Sequence, residues 1–219
     1  MKRQYDQVED SLELVDDARL LSEPSEAYYY TSFDVVLAAV MAERATGEDY
    51  ASLLDREIRT PLDLATPIRA NAGPTPEHVA QFYQSRGNGQ IRPRGAVNVS
   101  QRWPSGGLYA RSIDLVQVAS AWLDEAYISE VTRERFWRVN PQSVSRFGED
   151  APVRLVHHGG VSRGAMSWLI LYPELGIAAA VNINTETDEF SDFSSVEPEI
   201  TRLFAEAVGR TPENARPPD

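Results

Sequence analysis

Three apolar segments crowd into the last third of the chain: Val153–Val156, Ala165–Tyr172 and Ile177–Ile183. The connections between them are Gly159–Gly164 and Pro173-Glu174-Leu175-Gly176. A parallel neighbour needs a crossover of about a dozen residues or more, so links this short restrict the segments to antiparallel hairpins. A helix over roughly Glu197–Val208 follows and is expected to pack on the sheet. A polar, proline-containing tail runs from Arg210 to Asp219.

Upstream the apolar spacing is helical. Ser11–Leu21, with Leu12, Val15, Leu20 and Leu21, predicts a short surface helix that Glu23-Pro24-Ser25-Glu26 breaks. In the next helix Ser32 is placed to cap, Asp34 lies in the first turn, Val35–Ala45 is mostly apolar and Gly47 is the stop. An apolar face that wide wants burial on most sides. Asp49 then caps a second helix whose Leu53, Leu54 and Ile58 face inward, and Thr60-Pro61 ends it. Residues 63–104 are rich in Pro, Gly, Asn and Arg. Within them Val79–Tyr83 and Gln90–Ile91 flank Ser85–Gly89 as a hairpin, preferred over a helix begun at Thr75-Pro76. Ser105-Gly106-Gly107-Leu108 predicts a tight turn. Ser112 is expected to cap a helix through Leu115, Val116, Ala119, Trp122 and Leu123, and another helix spans about Ser129–Trp137. Helices, then an antiparallel sheet, then a helix make an α+β fold. The division is 1–150 for the helical region, 151–209 for the sheet and last helix, and 210–219 for the tail.

Composition narrows the chemistry. Among 219 residues there is no cysteine, which excludes disulfide scaffolds, thiolate zinc sites and cysteine nucleophiles. The formal charge is −12. Residues 1–26 carry eight acids against three bases and residues 184–206 seven against one, both read as solvated surface. No basic block exists to replace the counterions of a nucleic acid. The longest apolar run, Val35–Ala42, is far short of the ~20 residues of a membrane span. Lys2 and Arg3 are followed by Asp6, Glu9 and Asp10 where a signal peptide would be apolar. As written, the chain is expected to be soluble, with no visible export signal.

Two clusters carry functional side chains. Tyr30-Thr31-Ser32 stands just before the apolar helix, where a positive helix end favours a phenolate. The alternative is that Tyr28, Tyr29 and Tyr30 form a packed aromatic lead-in to the helix. His157-His158-Gly159-Gly160 falls at the end of the first of the three strands, where glycines leave room for another molecule's backbone. Metal binding is weakly supported: His78 is distant, and His157 and His158 point to opposite faces if extended.

The order of the segments carries more than any of them alone. Tyr28–Pro67, YYYTSFDVVLAAVMAERATGEDYASLLDREIRTPLDLATP, resembles a segment of the serine β-lactamase-related hydrolases (class C β-lactamases, D-alanyl-D-alanine carboxypeptidases and penicillin-binding-protein-like esterases). There the pattern runs tyrosine-x-asparagine, apolar helix, threonine-glycine, second helix, proline-leucine-glycine-methionine. Pro104–Leu115, PSGGLYARSIDL, resembles the family's glycine-glycine-leucine turn and helix. His158–Asn184, HGGVSRGAMSWLILYPELGIAAAVNIN, resembles its histidine-x-glycine strand, hairpin and closing strand.

The resemblance implies a β-lactamase/transpeptidase-like fold and a role for each matching residue. Tyr30 matches the general base for acylation and deacylation. His158 matches the basic or polar residue of a strand motif that is elsewhere lysine-threonine-glycine, and Gly160 matches its glycine. Val161 would offer its backbone N–H as one of two oxyanion donors. Ser32 stands where the family has asparagine, and a hydroxyl lacks the two-ended amide for positioning substrate. The larger departure is the nucleophile. The family uses serine-x-x-lysine, but the only lysine here is Lys2, with nothing three residues before it.

The expectation is therefore the C-terminal portion of a serine hydrolase of amide, lactam or ester bonds, its N-terminal part and nucleophile missing through a late start, an imposed boundary or gene decay. Tyr30 and His158 are expected to face one cleft, serving a small-molecule or peptide substrate without cofactor or metal. The incomplete sheet is expected to expose an edge and an apolar face for an oligomer or the missing upstream segment to cover. A rival reading is a catalytically inactive remnant that binds a ligand or partner. Another is hydrolysis from an unrelated nucleophile such as Ser105 or Ser162.

Overall fold

The computed structural model describes residues 3–15, 17–66, 68–70, 77–85, 89–95, 97–139, 144–147, 153–162 and 164–186, and beyond them Glu199, Arg202, Leu203, Glu206, Ala207 and Gly209. A 3-10 turn at Glu9–Leu14 is followed by α1 (Phe33–Thr46), α2 (Tyr50–Leu54) with a π-helical turn at Asp55–Arg59, and β1 (Ile68–Arg69). Next come β2 (Tyr83–Ser85), β3 (Ile91–Pro93), α3 (Trp103–Gly106), β4 (Leu108–Tyr109), α4 (Ser112–Trp122) and α5 (Glu130–Val139). The described strands end with β5 (Val144–Phe147), β6 (Val153–Ser162), β7 (Ala165–Tyr172), β8 (Ile177–Ile183) and β9 (Thr185–Glu186). Contacts gather the chain into two units, residues 1–80 with 95–110 and residues 81–94 with 111–219. The sequence-based division at 150 separates helices from sheet, whereas by contact α4 and α5 group with the sheet.

In the first unit, α1 buries the stripe Val36, Ala39 and Val40 against Val8 and Trp103, with Leu12, Phe33, Tyr50, Leu54 and Leu108 packed around them. That i, i+3, i+4 spacing is what makes the segment helical in context. Gly47 ends it at φ 74°, its N–H donating to the Glu43 carbonyl at 2.8 Å. Asp49 caps α2 by accepting from the Ser52 N–H at 3.0 Å and hydroxyl at 2.7 Å. Two expectations need correction. Val35, Leu37 and Met41 are exposed, so α1 is buried on one stripe rather than on most sides. The helix expected over Ser11–Leu21 is only the 3-10 turn, and Leu20 and Leu21 lie in solvent. Burial selects Tyr5 and Val8 ahead of the turn and Ser11 within it instead. The Tyr5 N–H donates to Ser100 Oγ at 3.0 Å, and Arg69, lying over Trp103 at 4.7 Å, donates to the Tyr5 and Asp6 carbonyls.

In the second unit, β5-β6-β7-β8 form an antiparallel sheet in that order. One face of β7 supplies Met166, Trp168, Ile170 and Tyr172 to a core with Leu175, Ile177, Val181 and Ile183. On the other face Leu169 and Leu171, with Val156 and Ala178, pack on Ala119, Trp122, Leu123 and Trp137 of the α4–α5 region. Burial on both faces explains the unbroken apolar run Trp168–Tyr172 within β7. Side chains such as Ile170 and Met166 contribute about 2 kcal/mol each by leaving water. The expected hairpin in the Pro- and Gly-rich stretch is present as β2 and β3, a little nearer the C-terminus, and β2 also pairs in parallel with β9.

Three sequence expectations for this unit shift. β6 does not stop at Val156 but runs through the glycines to Ser162, which pairs with Ala165, so Gly159–Gly164 is not a loop. β5 is an additional strand. The cap of α4 is not Ser112: Arg111 is the extended N-cap residue, and its guanidinium holds the fully buried Asp114 at 2.5 and 3.0 Å. Of the last helix, the described residues Glu199, Arg202, Leu203, Glu206 and Ala207 are helical. The tail 210–219 lies outside the described residues.

Candidate functional site

Tyr30 and Ser32 belong to the first unit; His158, Gly160 and Val161 belong to the second. Tyr30 sits in irregular chain ahead of α1, with 57% of its surface in water. Tyr28 and Tyr29 are exposed as well, so the three do not form a packed aromatic lead-in. Ser32 occupies the N-cap position at φ −63°, ψ −15° without a capping side-chain bond. Thr31 takes that part: its hydroxyl accepts from the Phe33 N–H at 3.1 Å and its carbonyl from the Asp34 N–H at 3.3 Å. Tyr30 therefore stands just outside the first turn.

His158, Gly160 and Val161 lie in the second half of β6, inside the strand rather than beyond its end. The register sets His158 opposite Leu169, Gly160 opposite Ser167 and Val161 opposite Met166. Alternation separates the two histidines as expected. His158 is exposed, whereas His157 turns to the other face and stacks on Trp168, ring centroids 5.6 Å apart and 15° from parallel. Burial pushes the His157 imidazole below its ordinary pKa, and His158 adds to that. The two glycines differ. A Cβ on Gly160 would meet nothing within 4 Å, while one on Gly159 would lie 1.6 Å from Trp168 Cε3. Only Gly160 leaves room for another molecule.

β5 pairs with Val153–Val156 alone, so over His157–Ser162 the side of β6 away from β7 is a sheet edge among the described residues. In an antiparallel ladder alternate residues direct N–H and C=O away from the partner. Counted from the Ser162–Ala165 pair that closes the hairpin, Val161 is one of these, and its N–H is directed to the open edge.

Two residues on the His158 face escaped sequence reasoning. Ser167 lies opposite Gly160 and Asn182 opposite Ser167, and the Ser167 hydroxyl donates to Asn182 Oδ1 at 2.7 Å. Counting alternation from a hairpin closed by Ser162 and Ala165 would have found both. Ser105, a rival nucleophile, donates its hydroxyl to the Arg102 carbonyl at 3.1 Å. Among the described residues no three His, Asp or Glu side chains converge as a metal site, and no helix is long and apolar enough to cross a membrane.

The family model described as Beta-lactamase matches residues 1–195. The serine beta-lactamase-like protein LACTB, mitochondrial, of Mus musculus is 26% identical over 123 residues, 56% of this chain and 22% of that protein. The Homo sapiens protein is 25% identical over the same shares. Among solved structures, D-amino acid amidase from Ochrobactrum anthropi SV3 with L-phenylalanine superposes with a TM-score of 0.73 at 20% identity, covering 96% of this chain and 66% of that one. The penicillin binding protein from Bacillus halodurans gives 0.67 at 15% identity, covering 88% and 62%. The chain thus spans about a fifth of the length of these curated relatives and just under two thirds of these solved chains.

Proposed function

Because the chain belongs to the beta-lactamase family, we propose that it supplies the tyrosine and strand elements of a serine hydrolase acting on an amide, lactam or ester carbonyl. The observation that carries this reading is the open edge of β6, where an exposed His158, a bare Gly160 and an outward Val161 N–H follow one another. In the proposed reaction a serine hydroxyl attacks the carbonyl carbon while its proton passes to the Tyr30 phenolate. The Val161 N–H holds the oxyanion. Tyr30 returns the proton to the leaving group, then takes one from the water that cleaves the acyl-serine. His158 and Ser32 position the substrate, and Gly160 lets it approach the strand.

The nucleophile is proposed to come from a serine-x-x-lysine element outside these 219 residues, since Lys2 is their only lysine. The same element is proposed as the occupant of α1's exposed Val35, Leu37 and Met41. Support comes from the neighbouring folds, about a third of whose own length lies outside the match. A D-aminoacyl amide is a fitting substrate class, given the amidase among those neighbours. The second reading, a module that binds such ligands without turnover, is favoured by the same missing lysine.

Hydrolysis of nitrocefin, p-nitrophenyl esters and D-phenylalanine p-nitroanilide separates the two. An enzyme loses turnover on Tyr30→Phe and on His158→Ala. Absence of turnover even when a serine-x-x-lysine segment is added favours the binding module.

A further inference from the structure

A sheet edge that contains two consecutive glycines has little of its own to hold it in place, since glycine loses the most freedom on ordering and offers no side chain to pack. Over His157–Ser162, β6 has only β7 beside it among the described residues. Beyond the ladder itself, one side chain of β7 fills the space that the first glycine leaves. Trp168 is buried, with 8% of its surface exposed, and lies directly opposite Gly159. A Cβ on Gly159 would stand 1.6, 1.9 and 2.5 Å from Trp168 Cε3, Cζ3 and Cδ2, so the indole occupies the space a side chain there would need. An aromatic ring laid over a cross-strand glycine is a known way of stiffening a strand. The same indole continues onto His157, stacked at 5.6 Å. Among the described residues His157 Nδ1 is buried without a hydrogen-bond partner, and the stacked indole holds the imidazole on this face.

We infer that Trp168 is a positioning residue: by packing beneath Gly159 and His157 it fixes the strand on both sides of His158 and sets the direction of the His158 imidazole and the Val161 N–H. This deepens the proposed function and rests on it for its catalytic consequence. Trp168 itself touches no substrate; it lies on the face of β6 opposite to His158. The pairing also explains why the middle residue of the histidine-x-glycine motif is glycine in this chain. Gly159 is required from within, by the indole, whereas Gly160 is the position open to a ligand.

The test is NMR on the isotope-labelled chain, following the Val161 amide and the His158 imidazole in Trp168→Phe, Trp168→Leu, Gly159→Ala and the double variant Gly159→Ala with Trp168→Leu. Trp168→Leu is expected to move both resonances and speed exchange of the Val161 amide. Trp168→Phe, which keeps a ring over the glycine, restores most of the wild-type pattern. Gly159→Ala alone disturbs the same resonances, and the double variant relieves that disturbance because the clashing ring is gone. Folded Trp168→Leu with both signals unmoved overturns the inference, as does a double variant no better than Gly159→Ala. In hydrolysis assays of active protein, Trp168→Leu lowers kcat roughly 100-fold with KM little changed. A wild type that hydrolyses nothing even with an added serine-x-x-lysine segment refutes the functional reading alone, and the NMR result still decides whether Trp168 positions the strand.

Discussion

The guanidinium of Arg154 lies over the Trp137 ring, 4.5 Å from its centroid, and joins α5 to β6. The same guanidinium pairs with Glu134 at 2.8 Å and Glu174 at 3.7 Å, and Glu174 also accepts the Arg154 N–H at 3.1 Å. These three side chains are 26, 27 and 16% exposed, so solvent screening weakens the network only modestly. Arg154→Met is expected to destabilise the chain by about 2 kcal/mol, measured by urea unfolding. Arg154→Lys should recover less than half, because an ammonium cannot lie flat on the indole while serving two carboxylates.

The depressed pKa of His157 gives a pH dependence of known sign. A histidine whose folded-state pKa lies below its unfolded value binds fewer protons folded than unfolded, so unfolding takes up protons. Its contribution to stability is full at neutral pH and declines as pH falls below about 6.5. His157→Phe keeps a ring against Trp168 but cannot titrate. Melting at about pH 7.5 and about pH 5.5 should show a smaller loss on acidification in this variant than in wild type. Equal losses would mean that His157 takes no part.

At the start of α2 the cap is electrostatic as well as geometric. The Ser52 hydroxyl and N–H hold the Asp49 carboxyl below its ordinary pKa. Its contribution is therefore present above the usual carboxylate range and is lost as pH falls through the lowered value. Asp49→Ala should cost about 1 kcal/mol and Asp49→Asn much less, by thermal unfolding at neutral pH.

Met41, with 70% of its surface in water, tests the proposed occupant of the α1 face. Met41→Gln is expected to change the stability of the chain by itself by less than about 0.5 kcal/mol. The same substitution should weaken capture of a serine-x-x-lysine segment, read by titration calorimetry. A large stability loss in the chain by itself would mean that the residue is already covered.

What was legible in the sequence follows from which forces act locally. β7 and β8 have the expected bounds, because apolar runs are closed by Pro173 and Gly176. Gly47 and Asp49 were readable because caps are short-range chemistry. β6 was cut short because His157-His158-Gly159-Gly160 has no strand propensity; pairing with β7 makes it a strand. Val144–Phe147 was missed as a strand because pairing with β6, not an apolar run, defines it. The leucines of Ser11–Leu21 misled because the buried positions were chosen by contacts with Ser100 and Arg69, far along the chain. In the candidate site, the order of the tyrosine and strand motifs was visible. Trp168 and Asn182 were not, since they reach β6's neighbourhood only through hairpin register.

The central proposal is that Tyr30 and His158 both act on the bound substrate. Its most direct measurement is turnover of nitrocefin and D-phenylalanine p-nitroanilide by the chain supplied with a serine-x-x-lysine segment, as wild type, Tyr30→Phe and His158→Ala. Turnover is expected in wild type and is expected to fall about 100-fold or more in each variant. Turnover unchanged in either variant would contradict it.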